Sequence, residues 1–213
     1  MSRGAPASVF LFALTILSES LSVAASERTV LVLAPVVSDD RMAPLVEAIA
    51  YWNDRLEEIS VTTRLLERGV EVASPVERAL ENYARQIAQR ATRLPAGDAE
   101  PPPPAALTNL DADVIVLLSR QDILSFTWPM PKVVPPRYFI VIRAVRGPYR
   151  RDAMVTKHVV AHELGHALGL EHNAEPHTLM CGPCQPLISE PDHTGFLPLT
   201  ETDRLRLVEL YGH

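Results

Sequence analysis

His162, Glu163, His166, Gly169 and His172 fill the fixed places of an H-E-x-x-H-x-x-G-x-x-H pattern in the stretch HELGHALGLEH. No other feature of the chain constrains its local fold as strongly. Residues four apart share one face of a helix, so His162 and His166 can each bring a ring nitrogen to a single ion about 2 Å away. Glu163 is rotated from that face, poorly placed as a ligand and well placed to touch a metal-bound water. A helix continued beyond this point would carry His172 to the wrong side. Gly169 allows the left-handed turn at which helices commonly end, and a break there returns His172 toward the same ion. The spacing therefore predicts a helix from roughly Asp152 to Leu170 and a sharp exit. Three neutral imidazoles leave one tetrahedral position open, the arrangement of a catalytic zinc. His158 also precedes His162 by four residues, but a fourth nitrogen would fill that position. It is read as a helix-face histidine bonded to solvent or backbone.

The chain around this helix alternates between two kinds of pattern. RTVLVLAPVV (28–37) is apolar and β-branched without alternation and reads as a buried first strand. APLVEAIAYWNDRLEEI (43–59) has Leu45, Val46, Ile49, Trp52, Leu56 and Ile59 at helical spacing, with Pro44 suited to a first turn. VTTRLLERG (61–69) predicts a second strand stopped by Gly69, and PVERALENYARQIAQRATRL (75–94) a second amphipathic helix. PAGDAEPPPPA (95–105) sustains neither helix nor central strand and is read as a Pro-rich surface insertion. DADVIVLLS (111–119) and RYFIVIRAV (137–145) predict buried strands, separated by the proline-broken FTWPMPKVVPP, which suits a sheet edge or the lip of a cleft. Thr200 as cap, Leu205, Leu207, Val208 and Leu210 as an apolar set and Gly212 as stop signal a last helix. The predicted class is α+β, a mixed twisted sheet of about four to five strands.

With 213 residues, 47% of them apolar and 22% charged, one domain over residues 26–213 is expected. The net charge of −6 offers no field for nucleic acid. The local cluster Arg143, Arg146, Arg150 and Arg151 is read as a solvated loop face. Residues 1–25 carry Arg3, an apolar run to about Leu17 and small residues at Ser22, Ala24 and Ala25. That layout predicts a signal peptide, with a secreted or periplasmic product and no stable membrane insertion after cleavage. Both cysteines, Cys181 and Cys184, lie in one C-x-x-C, too short a bridge to be the main source of stability.

HELGHALGLEH resembles the extended zinc motif of the metzincin metalloproteases. The resemblance puts His162, His166 and His172 in the ligand places and Glu163 in that of the general base. Met180, in HTLMCG eight residues after His172, takes the place of the Met-turn methionine. Within that group the chain is similar to the matrixins, through LTETDRLRLVELYG and the helix bearing Trp52. It lacks their Gly- and Asp-rich stretch with extra histidines upstream, and no cysteine precedes Cys181 to serve as a propeptide switch. It also resembles the archaemetzincin-like group through RYFIVIRAVRGPYRRDAMVTKHVVAHELGH. Asn173 stands where that group has a cysteine after the third histidine, so a second zinc would need His177 or His193 beside Cys181 and Cys184. A disulfide and free thiols are the other readings of this pair.

The resemblance implies a metzincin-like zincin fold, one catalytic zinc, and an endopeptidase acting on protein or peptide, which the N-terminal segment marks for export and which is expected to be a monomer. Its substrate would lie as an added strand between the sheet edge and the active helix. A non-catalytic zinc-containing binding protein and a zinc hydrolase of a small amide are the alternatives.

Overall fold

The computed structural model describes residues 26–91, 101–130, 136–144, 153–183 and 195–212. The expected signal peptide, most of the Pro-rich insertion, most of the arginine cluster, Cys184 and His193 lie outside these residues. The described elements are β1 (Glu27–Ala34), α1 (Met42–Glu58), β2 (Arg64–Val72), α2 (Pro75–Ala91), α3 (Ala105–Thr108), β3 (Val114–Leu118), β4 (Phe126–Pro129), β5 (Tyr138–Ile142), α4 (Ala153–Ala167) and α5 (Glu201–Tyr211). None of the described helices is long and apolar enough to cross a membrane.

The strands form one five-stranded sheet in the order β2-β1-β3-β5-β4. The first four run parallel and β4 lies antiparallel on β5, closing one edge. The mixed sheet of the α+β expectation is present, with helices on both faces. Period-two alternation divides its residues between two cores. Val30, Val32, Val116 and Ile140 face a core built with Trp52 of α1 and Val160, Ala161 and Leu164 of α4. Leu33, Ile115, Leu117, Phe139 and Val141 face a second, with Leu80, Tyr83 and Ile87 of α2. Every residue of β3 is buried, the reason its sequence is a continuous apolar run rather than an alternating one.

Several boundaries differ from the sequence reading. β1 ends at Ala34, because Pro35 has no N–H to give the ladder, and Val37 is 83% exposed. β2 does not stop at Gly69 but continues to Val72; the register slips there, with Val30 opposite Glu67 and Leu31 opposite Gly69. Gly69 accommodates a bulge with Arg68 as the extra residue. In α1, Val46 points to solvent. In α5, Leu205 and Val208 are also exposed, while Leu207 is buried together with the polar Asp203.

Three hydrogen bonds, one of them buried, tie α4 to the rest of the fold. The indole N–H of Trp52 donates to the carbonyl of Ala161 at 2.8 Å, joining α1 to the middle of α4. Arg28 of β1 and the Tyr211 hydroxyl donate to the carbonyls of Ala167 and Leu168, satisfying groups that a helix end leaves without partners.

Candidate metal centre

α4 ends at Ala167, and Gly169 follows with φ +89°, the left-handed exit expected from the motif. The returning chain carries His172 back to His162 and His166. Their three Nε2 atoms lie 3.1 Å from one another in all three pairings. The Nδ1–H of His162 donates to the carbonyl of Leu179 at 2.7 Å, and that of His166 to the carbonyl of Leu170 at 2.8 Å. These bonds leave Nε2 of each ring as the lone-pair nitrogen. Burial pushes the His162 pKa down to about 4 and also lowers that of His166, against the support of those carbonyls. Both rings are held neutral, as metal ligands must be.

The lone pairs of His162 and His166, 3.1 Å apart, oppose one another unless a cation sits between them. Zn–N bonds of about 2.0–2.1 Å over that edge length would give N–Zn–N angles of roughly 95–102°, close to tetrahedral. The donor set therefore fits zinc with one position left for another ligand. The three histidines are the one group of potential metal ligands among the described residues.

Glu163 lies beside the cluster and is 7% exposed. Burial pushes its carboxyl up to about 7, partly offset by a hydrogen bond from the Thr127 hydroxyl. That hydroxyl is 2.8 Å from both the backbone oxygen and Oε2 of Glu163, spanning β4 and α4. His158 stands outside the cluster: Nδ1 donates to the carbonyl of Met154 and Nε2 accepts from the Leu197 amide.

Met180 is fully buried beneath the site. A Cβ added at Gly165 would come within 2.5 Å of its Sδ and 2.9 Å of Cζ2 of Trp52. Gly182 packs against the His172 ring, where an added Cβ would lie 2.7 Å from it. Asn173 ties this turn together. Its backbone exchanges hydrogen bonds with Met180 and Gly182, and its side chain accepts from Thr178 and donates to Asp203 of α5. Cys181 is disulfide-bonded.

The sequence placed Thr127 only within a stretch suited to the lip of a cleft, and assigned Gly165, Gly182 and Asn173 no role at the histidine cluster. Gly165 alone left a signal, since a glycine inside a helix costs about 1 kcal/mol relative to alanine and implies a close neighbour.

No curated protein matches the chain. Among solved structures it is similar to metalloproteinase-II from Bacteroides fragilis, at 12% identity over 88% of this chain and a TM-score of 0.45. The chain spans about half of that protein's length, 54%. It is also similar to archaemetzincin from Methanopyrus kandleri, at 14% identity over 89% of this chain and 98% of the other, with a TM-score of 0.41. Residues 70–212 match the matrixin family, a span that runs from β2 to the end of α5 and encloses the three histidines, Glu163 and Met180. The chain belongs to the matrixin family.

Proposed function

We propose that this chain is an exported zinc-dependent endopeptidase in which His162, His166 and His172 hold the zinc, Glu163 is the general base and Met180 forms the floor of the site. The convergence of three Nε2 atoms at 3.1 Å beside a buried carboxylate carries this reading. When bound, zinc lowers the pKa of a water toward neutrality and polarises a peptide carbonyl. Glu163 would accept a proton from the attacking water and return it to the leaving amine. The outer edge of β4, which no strand among the described residues pairs with, would receive an extended peptide by strand addition beside α4.

The mature unit is proposed to be residues 26–213, released from a signal peptide at residues 1–25 and acting as a monomer. N-terminal sequencing of the exported product would test the first point, with Ala25 or Ser26 expected as the first residue. For the catalytic assignment, wild type and Glu163→Gln are loaded with stoichiometric zinc and incubated with an unbiased peptide library. Cleavage by the wild type and retained zinc with activity lower by at least about 10³-fold in the variant are expected. An active Glu163→Gln would remove Glu163 from the role of base. A zinc-loaded wild type that cleaves nothing would favour a binding protein or a hydrolase of small amides.

A further inference from the structure

Thr127 sits in the middle of β4, opposite Ile140 of β5. Opposed residues of an antiparallel pair share a face, and Ile140 belongs to the core that packs against α4. The threonine side chain is thus turned from the edge strand toward the active helix, where its Oγ1 lies 2.8 Å from Oε2 and 2.8 Å from the backbone oxygen of Glu163. A hydroxyl has one hydrogen to give, and a carboxylate takes it in preference to a carbonyl because the charge-assisted bond is the stronger. No other hydrogen bond to the Glu163 carboxyl is found among the described residues, so Oε1 is the free oxygen.

We propose that Thr127 is a positioning residue for the base: its hydroxyl holds Oε2 of Glu163 against β4, leaving Oε1 as the atom that accepts and returns the proton. This rests on the general-base reading above and adds to it which oxygen reacts and what selects it. Threonine suits the task, since its branched side chain on a paired strand has few rotamers, whereas the terminal torsion of a glutamate is broad. The proton never resides on Thr127, which donates to Oε2 while Glu163 is ionised. The anchor of the base and the edge offered to the substrate belong to the same four-residue strand. One element would thereby set both the register of the peptide and the orientation of the group that attacks it.

The test compares the zinc-loaded full chain with Thr127→Val, Thr127→Ser and Glu163→Gln. Valine keeps the shape and removes the hydroxyl; serine restores the hydroxyl. For a peptide selected by wild-type digestion, Thr127→Val should lower kcat roughly ten- to a hundredfold with KM within about twofold, and Thr127→Ser should recover most of the loss. Independently of turnover, the infrared carboxyl band of Glu163, identified by its loss in Glu163→Gln, should shift in Thr127→Val and return in Thr127→Ser. Unchanged kcat in Thr127→Val, equal losses in both threonine variants, or an unmoved band would overturn the proposal. A wild type that cleaves no peptide would defeat the protease reading instead, and the band would still decide whether the hydroxyl holds the carboxyl.

Discussion

A methyl group added at Gly182 would lie 2.7 Å from Cγ and Cδ2 of His172, yet the backbone of Gly182 is not left-handed and would accept alanine. The effect of Gly182→Ala should therefore fall on the ligand rather than on the chain. Zinc affinity, measured against a competing chelator, is expected to drop roughly 10–100-fold while the melting of the zinc-free protein barely moves. Gly165→Ala should do the reverse. Its Cβ meets the Met180 sulfur and the Trp52 ring inside the core, so it should cost about 1–3 kcal/mol in urea unfolding despite the better helix propensity of alanine. The motif made His162, Glu163, His166 and His172 legible because their relation is set by helix periodicity and one glycine turn. Gly182 and Thr127 matter through approaches between segments remote in sequence, and no local pattern announces such contacts.

At the scale of elements, α5 is held at its start by a reciprocal cap in which Thr200 and Asp203 bond each other's backbone amides. Asp203 also receives the side chain of Asn173, the residue that follows His172. Thr200→Ala should cost about 1 kcal/mol, the ordinary value of a cap. Asp203→Ala should cost more, and combining it with Asn173→Ala should show a coupling of about 0.5–3 kcal/mol in a double-mutant unfolding cycle. Strict additivity would mean that the turn and the helix are independent. The cap was legible at Thr200, but the face of α5 was not: Leu205 and Val208 are exposed while Asp203 is buried. Leu205, Leu207, Val208 and Leu210 signalled a helix without marking its buried face, and the helix buries little beyond Leu207 while its polar first turn serves as an anchor. The end of β2 was misread for a related reason, since glycine serves as readily in a bulge as in a stop.

For the whole molecule, the alternation of strands and helices was visible in sequence and the order β2-β1-β3-β5-β4 was not. Parallel pairing joins segments far apart, and a buried apolar strand carries no mark of its neighbours. Both cores are nevertheless built from apolar side chains of the sheet and its helices, gathered around Trp52 on one face and Phe139 on the other. Zinc should therefore raise the stability of a protein already folded rather than create the fold. Binding to the native state alone adds RT ln(1 + [Zn]/Kd), about 4 kcal/mol at a thousandfold excess over Kd, so stripping the ion should lower Tm by roughly 8–16 °C. Native far-ultraviolet circular dichroism should survive that treatment at room temperature. The same shift should persist in Glu163→Gln, whose ligands are intact, and should largely vanish in His172→Ala, which leaves only two nitrogens. A chelator that leaves the Tm of the zinc-loaded wild type unchanged would show that the three imidazoles, though gathered at 3.1 Å, do not hold the ion in the native state.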